Sequence, residues 1–168
     1  MTNAPAAPIR VMLVDDHALV RSAIRQALEG PEVEVVAEAG DATDAIDGAI
    51  RTRPDVLLLD IDLPGMSGLA VLAELAPRLP ATRIVMLTVS GAERDLYEAI
   101  ARGAAGYLTK DLRPDALHRA VHAVCAGELA MSRRFAALAV AHFSASARRR
   151  SEEHTSELQS RLHLVCRL

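Results

Sequence analysis

Four acidic residues stand directly after apolar runs of the sequence. The run VLLL ends in Asp60, with Asp62 two residues later, and the run IRVMLV is followed by Asp15 and Asp16. Carboxylates held close together repel one another, which raises a pKa or calls for a cation. Mg²⁺ suits such a group, because it binds carboxylates, water and phosphate oxygens. With Asp15 and Asp16 on the metal, Asp60 would be free to attack phosphorus as a nucleophile.

A lysine and a threonine stand at the ends of two further apolar runs. Lys110 is the single lysine of a chain with eighteen arginines and follows AGYLT, whereas Thr88 follows RIVML. An ammonium group beside the carboxylates would offset the charge that develops in phosphoryl transfer, and a hydroxyl could bond a phosphoryl oxygen. Each residue taken alone has a plainer interpretation. Thr88 is a good strand former, Lys110 could be a chance loop residue, and the acid pair could cap the next helix.

Strand-like and helix-like segments alternate five times along residues 9–127. Short apolar runs predict the strands, and amphipathic segments of helical period predict the helices between them. Asp41 and Ser67 are the predicted caps of two helices, and Pro114 lies in the first turn of the last one. Such alternation indicates a parallel sheet covered by helices on both faces. The predicted strands are 9–14, 33–39, 56–60, 83–89 and 105–110, and the predicted helices are 18–30, 41–53, 67–79, 92–103 and 113–127.

The polar residues favour one strand order. In a doubly wound parallel sheet, ligands bind beyond the carboxyl ends of the strands, where the strand order reverses. Asp15, Asp60, Thr88 and Lys110 follow or end the first, third, fourth and fifth predicted strands. The flavodoxin-like order 2-1-3-4-5 makes those four strands contiguous. We therefore predict an α/β fold of the flavodoxin-like (βα)5 type, with these side chains in one pocket.

Two unrelated classes of protein use an aspartate of this kind. The stretch from Asp60 to Asp62 resembles the DxD nucleophile motif of haloacid-dehalogenase-type phosphatases. Those proteins usually carry the motif on the first strand, with Thr or Val four residues after the nucleophile and an acid pair near the C-terminal end. Here the motif is on the third predicted strand, Pro64 stands at the fourth position after Asp60, and the acid pair comes earlier. The order disfavours the phosphatase, which stays an alternative.

The order of motifs resembles that of a bacterial response regulator receiver domain. LVDDH, DIDLPGMSG, MLTVS and GYLTKD match the motifs of that family in sequence, and the resemblance covers residues 9–127. The resemblance implies that Asp15 and Asp16 coordinate Mg²⁺ together with Asp60 and the backbone carbonyl of Asp62.

The resemblance also implies the chemistry and the switch. Asp60 would accept a phosphoryl group from the phosphohistidine of a sensor histidine kinase, with Lys110 beside it. Thr88 would be the switch hydroxyl and Tyr107 the aromatic switch, and both would move inward on phosphorylation. The domain would be a phospho-accepting signalling domain and not an enzyme, apart from catalysing its own phosphorylation and dephosphorylation.

One departure from the general receiver motifs indicates a particular subfamily of receivers. Asp111 follows Lys110 where many receivers have proline, and residues 106–132 resemble the NarL/FixJ type, whose receivers precede a LuxR-type helix-turn-helix. This implies transcription control, DNA contact only through that domain, and a homodimer on phosphorylation. A LuxR-type domain needs about 60 further residues, so we expect it to be missing here. A stand-alone phosphorelay receiver is the alternative. We interpret His17, after the acid pair, as a helix-start residue.

Composition limits the other classes of function. The net charge is −3, and residues 127–149 hold four arginines without the pattern of a recognition helix, so we expect no direct DNA binding. No apolar run approaches the roughly 20 residues that cross a bilayer, and the N-terminus does not resemble a signal peptide. Cys125 and Cys166 are far apart and have no metal-ligand spacing, which favours a reducing compartment. We predict a cytoplasmic protein without membrane contact.

The two ends differ in character from the middle of the chain. We predict a disordered N-terminus over residues 1–8, a receiver domain over 9–127 and a linker with a short helix over 128–149. Residues 150–160, RSEEHTSELQS, are the translation of a widely used sequencing-adapter sequence, and alanine is absent from 148 to 168. We therefore expect residues 150–168, with His154, His163 and Cys166, to be an artefact without function.

Overall fold

A parallel sheet of six strands forms the centre of the fold. The computed structural model describes residues 7–89 and 92–145. Its strands lie in the order β2-β1-β3-β4-β5-β6, and every neighbouring pair is parallel. The predicted order 2-1-3-4-5 is confirmed, and the structure adds a sixth strand beside the fifth. The strands are β1 (Ile9–Val14), β2 (Val33–Ala39), β3 (Val56–Asp60), β4 (Arg83–Thr88), β5 (Gly106–Thr109) and β6 (Ala130–Met131).

Five helices connect the six strands and cover both faces of the sheet. The Asp41 carboxylate accepts a hydrogen bond from the Asp44 N–H, and the Ser67 hydroxyl accepts one from the Ala70 N–H, so both predicted caps are confirmed. Pro114 occupies the first turn of the last helix, as predicted. The helices are α1 (Ala18–Leu28), α2 (Ala42–Thr52), α3 (Gly68–Arg78), α4 (Glu93–Ala101) and α5 (Pro114–Cys125).

The central strands are apolar on both faces because helices cover both faces. All five residues of β3 are buried, and so are the last four of β1 and the last five of β4. On one face, α1 packs against α5, and Leu117, Val121 and Val124 of α5 lie in the same core cluster as Val11 and Leu58. Helix α3 contacts both α2 and α4. The connections all return the chain to the same edge, so the carboxyl ends of the strands lie together.

The chain divides into two units with the boundary between Ser132 and Arg133. The first contains the whole sheet, including β6, which lies beyond the predicted receiver boundary at residue 127. Residues 133–145 of the second are helical. Residues 1–6 and the predicted artefact at 150–168 lie outside the described residues. Within residues 7–89 and 92–145, no helix is both long enough and apolar enough to cross a membrane.

Candidate functional site

The buried polar side chains of the sheet are gathered at the carboxyl ends of its strands. Apart from the aromatic Tyr107, the buried polar side chains among residues 7–89 and 92–145 are Asp15 (1% exposed), Asp60 (1%) and Thr88 (3%). Asp60 is the last residue of β3 and Thr88 the last of β4, while Asp15 follows β1 directly. The parallel register therefore brings together residues that are far apart in sequence, as the polar pattern predicts.

Lys110 joins two of these carboxylates. Its Nζ lies 2.6 Å from Asp60 Oδ2, to which it donates a hydrogen bond, and 2.8 Å from Asp15 Oδ2. The Lys110 N–H donates to the Thr88 carbonyl at 2.9 Å, which holds the start of this loop against the end of β4. Burial lowers the pKa of the Lys110 ammonium, but the contacts with Asp15 and Asp60 outweigh this, and its pKa is raised. Lys110 is therefore held as a cation between two buried acids.

Asp60 differs from an ordinary surface carboxylate in its affinity for protons. Burial raises the pKa of the Asp60 carboxyl, and the nearby Asp15 carboxylate acts in the same direction. The Lys110 ammonium and the backbone N–H of Asp62 lower this pKa but offset the burial only in part. A carboxylate with a raised pKa is a more basic, and hence stronger, nucleophile than an exposed one.

Backbone amides fix the orientation of the acids. The Asp62 N–H donates to Asp60 Oδ1 at 3.2 Å, and the His17 N–H donates to Asp15 Oδ1 at 2.8 Å. The Asp62 side chain is exposed. Each buried carboxylate thus has one oxygen held by an amide from the following loop and the other directed at Lys110.

The acidic pocket has the donor set of a hard divalent cation. One ligand atom each from Asp15, Asp16, His17 and Asp60 lie within 4.8 Å of one another, so this group could hold a metal ion. Asp15 Oδ2 is buried, and its contact with Lys110 lacks hydrogen-bond geometry, so this oxygen has no hydrogen-bond donor. Carboxylate oxygens arranged in this way fit the ligand preference of Mg²⁺.

Thr88 and Tyr107 lie side by side below the pocket. Thr88 pairs with Thr109 and Met86 with Tyr107 in the β4–β5 register. Tyr107 is fully buried in this structure, and its hydroxyl lies 3.5 Å from the Ala92 carbonyl. Burial raises the pKa of Tyr107 to about 12, although a hydrogen bond with Thr88 partly opposes the shift. The Tyr107 side chain is therefore already buried in this structure, and its hydroxyl contacts that of Thr88, the predicted switch residue.

Gly68 allows α3 to start directly against the end of β3. A Cβ atom at this position would lie 1.9 Å from the Asp60 carbonyl oxygen and 2.9 Å from its carbonyl carbon. The Gly68 N–H also donates to the Ile61 carbonyl at 2.8 Å. The last glycine of DIDLPGMSG thus determines where the backbone of Asp60 lies.

Two contributors to the site were not predicted from the sequence. His17 does occupy the N-cap position of α1, as interpreted, but without a capping side-chain bond, and its Nδ1 contacts the Asp16 carboxylate instead. Arg21 donates to the Asp15 carbonyl and lies 3.5 Å from Glu38. The spacing of four residues from His17 to Arg21 places both on one face of α1, but it does not indicate what that face meets.

Comparison with known proteins identifies the family of this domain. The family model described as "Response regulator receiver domain" matches residues 11–122. The chain belongs to this family. The receiver match also decides between the two classes left open above, in favour of a signalling domain and against the phosphatase.

The relatives of this receiver include response regulators of the NarL and LuxR families. The nitrate/nitrite response regulator NarL of Escherichia coli K12 is 35% identical over 96% of this chain and 74% of its own length, and NarP of the same organism is 48% identical over 77% and 60%. A LuxR-family two-component response regulator from Aurantimonas sp. SI85-9A1 superposes with a TM-score of 0.75 at 35% identity, covering 82% of this chain and 99% of that chain. The resemblance to the NarL type is thus confirmed.

Proposed function

We propose that this receiver accepts a phosphoryl group on Asp60 from the phosphohistidine of a sensor histidine kinase. The observation that supports this most is the burial of the Asp60 carboxylate at the end of β3, with Lys110 at 2.6 Å and no other buried carboxylate apart from Asp15 among the described residues. Asp15 directs one oxygen to a backbone amide and the other to Lys110. It also stands beside Asp16, which suits it to hold a cation.

The transfer follows from the contacts of Asp60. A carboxylate oxygen of Asp60 attacks phosphorus, a P–O bond forms, and the P–N bond to the donor imidazole breaks. The electron pair returns to the imidazole nitrogen, which takes up a proton. Lys110 neutralises charge on the phosphoryl oxygens, and the Asp62 N–H keeps the carboxylate oriented during the attack.

The acidic pocket would hold Mg²⁺ for this reaction. Asp15, Asp16 and Asp60 supply carboxylate oxygens, and the backbone carbonyl of Asp62 completes the proposed set. When bound, Mg²⁺ supplies positive charge that offsets the phosphoryl oxygens. The grouping of the Asp15, Asp16 and Asp60 ligand atoms within 4.8 Å of one another supports this assignment.

The phosphoryl group would act on the protein through Thr88 and Tyr107. The Thr88 hydroxyl ends β4 one strand away from Asp60, and it contacts Tyr107 behind it. If the Thr88 hydroxyl moves toward a phosphoryl oxygen, the Tyr107 hydroxyl loses this partner. The conformation of the segment between β4 and α4 would then change as well. We propose that the output is transcription control in a longer cytoplasmic regulator that dimerises on phosphorylation and binds DNA through a LuxR-type domain.

The experiment is the intact mass of the full chain after incubation with Mg²⁺ and acetyl phosphate. We expect one phosphoryl adduct on the natural chain, and none when the metal is removed by a chelator or when Asp60 is replaced in Asp60→Asn. Adduct formation that is unchanged in Asp60→Asn would refute the assignment.

A further inference from the structure

Three side chains of types that bind metals lie near one another at the outer face of α5, away from the acidic pocket. His118 and His122 are four residues apart on this helix, and their rings stack with centroids 6.4 Å apart at an angle of 20°. Glu32, which precedes β2, brings its Oε2 to 3.3 Å from His122 Nε2. Since Glu32 stands at the amino ends of the strands, this cluster is at the opposite edge of the sheet from Asp60.

We propose that His118, His122 and Glu32 form a binding site for a divalent transition-metal ion, with Zn²⁺ as the best match. Two histidines at positions i and i+4 share one helix face, which is the spacing by which helical histidine pairs chelate zinc. Imidazole nitrogen and carboxylate oxygen are both ordinary zinc ligands, and three protein ligands leave a fourth position for water.

The distance between Glu32 and His122 already matches what the ion requires, whereas His118 has to reorient. Two donors on one tetrahedral zinc lie about 3.3 Å apart, because each is about 2.0–2.1 Å from the metal. The observed separation of Glu32 Oε2 and His122 Nε2 is 3.3 Å. Two imidazoles that share a tetrahedral ion have centroids about 5 Å apart. The His118 ring, now stacked on His122, therefore has to come closer and turn a nitrogen toward the ion. Rotation about χ2, which is a broad torsion in histidine, makes such a change possible on a helix surface.

The surroundings leave room for the ion and favour a positive charge. The cluster borders a shallow depression of about 720 Å³ that includes the small residues Ala123 and Ala126 and the acidic Glu128. Arg119, the nearest cation on the same helix, pairs with Asp115 at 3.0 Å. The His122 side chain is 44% exposed and the Glu32 side chain 72%, so a metal ion reaches both from solvent.

Cys125 is the competing ligand on this helix. It lies three residues beyond His122, and partial burial of its thiol together with the nearby Asp55 carboxylate raises its pKa. A thiol with a raised pKa supplies less of the thiolate that binds metal. Glu32, already in contact with His122, is the better third ligand.

The consequence of binding is a link between two segments. An ion held by His118, His122 and Glu32 ties α5 to the connection between α1 and β2. A ligand that binds the folded chain in this way raises its melting temperature. Zn²⁺ should therefore stabilise the receiver in a manner that depends on α5 and not on the acidic pocket.

The test is calorimetric titration of the full chain with Zn²⁺ after treatment with a chelator, repeated with Co²⁺ to read the coordination geometry from its visible absorption. We expect His118→Gln and His122→Gln each to weaken one binding event at least about tenfold, since loss of a supporting contact alone costs 10–100-fold. Glu32→Gln should weaken the same event less.

Three controls separate this site from other ligands. Asp16→Asn alters the acidic pocket, and Cys125→Ser removes the neighbouring thiol, and both should leave the event intact. Binding by His154, His163 and Cys166 is common to all variants and cancels in the comparison. An event that survives in the double variant His118→Gln/His122→Gln, or that Asp16→Asn or Cys125→Ser abolishes, would overturn the proposal. Sensitivity to His122→Gln alone would also overturn it, because a single histidine is not a chelate.

Discussion

Strand β3 has an aspartate at each end, and the two play different parts. Asp55, just before the strand, is exposed, and its carboxylate accepts a hydrogen bond from the Arg10 N–H at 2.8 Å. Asp60, the last residue, is buried, has a raised pKa and is bonded to Lys110. The aspartate before β3 thus links neighbouring segments by a hydrogen bond, whereas the aspartate that ends β3 is the one proposed to accept the phosphoryl group.

The difference comes from what the neighbouring strands supply. At the amino end, backbone groups satisfy Asp55, since its N–H donates to the Arg10 carbonyl and its carbonyl accepts from Arg83. At the carboxyl end, Asp60 meets a second buried carboxylate and one ammonium. Two carboxylates and one ammonium leave an excess negative charge in a buried pocket. This excess favours the binding of a metal cation, alone or together with a phosphoryl group.

The two aspartates should respond in opposite ways to the same substitution. Asp60→Asn should abolish phosphorylation by acetyl phosphate, because an amide oxygen is a poor nucleophile. Asp55→Asn keeps the acceptor and should be phosphorylated at the natural rate, while losing about 1 kcal/mol of unfolding free energy with its charge-assisted hydrogen bond. Intact mass and urea unfolding measure the two effects. Loss of the adduct in Asp55→Asn would remove the contrast between the ends of β3.

Lys110 is the cation that keeps the carboxyl end stable. Lys110→Gln leaves Asp15 and Asp60 facing each other without it, so we expect the unfolding free energy at neutral pH to fall by about 3 kcal/mol. The loss should shrink in acid, where the carboxylates take up protons. Arg113→Gln is the matched control, because this exposed arginine pairs with Asp115 at 3.2 Å. A surface pair of this kind contributes at most about 1 kcal/mol. Equal losses in the two variants would contradict the special position of Lys110.

Gly68 connects the fold to the position of Asp60. In Gly68→Ala the new methyl group would overlap the Asp60 carbonyl, so we expect α3 or the end of β3 to shift, with a loss of about 2 kcal/mol and slower phosphorylation. Gly30→Ala provides the comparison, since the nearest atom to a Cβ there is 4.0 Å away. Denaturant unfolding and the rate of adduct formation measure both. A natural phosphorylation rate in Gly68→Ala would show that Asp60 tolerates the shift.

The raised pKa of Asp60 predicts how stability depends on pH. Because the folded chain holds this proton more tightly than the unfolded chain, the stabilising effect is complete below the ordinary aspartate pKa and is lost as pH rises through the raised value. At neutral pH, Asp60→Asn should therefore be more stable than the natural chain. The gain should disappear in acid. A difference that does not change with pH would argue against a charged, destabilised Asp60.

Much of this site follows from the sequence, because strand ends are easy to locate and parallel strands share an edge. The bounds of β1 and β3 agree with those predicted, and the convergence of Asp15, Asp60 and Lys110 follows from the strand order alone. The two residues of β6 were missed, since Ala130 and Met131 have no periodicity to detect and pair only because β5 leaves an open edge.

Side-chain choices between neighbours could not be predicted in the same way. That Lys110 bridges both acids, that the His17 ring meets Asp16, and that Arg21 bonds the Asp15 carbonyl depend on packing between elements. The burial of Tyr107 could not be predicted for the same reason. Its position on β5 was clear from the sequence, but its burial against Thr88 depends on the space that α4 leaves beside the sheet.

The most direct measurement is the location of the phosphoryl group after phosphorylation of the full chain with acetyl phosphate and Mg²⁺. Reduction of an aspartyl phosphate with borohydride converts that residue to homoserine, and peptide mass mapping then gives its position. Homoserine at position 60, at no other acid and only when the metal is present, is the expected result. Homoserine at Asp15, Asp16 or Asp62 with position 60 unchanged would contradict the assignment of Asp60 as the acceptor.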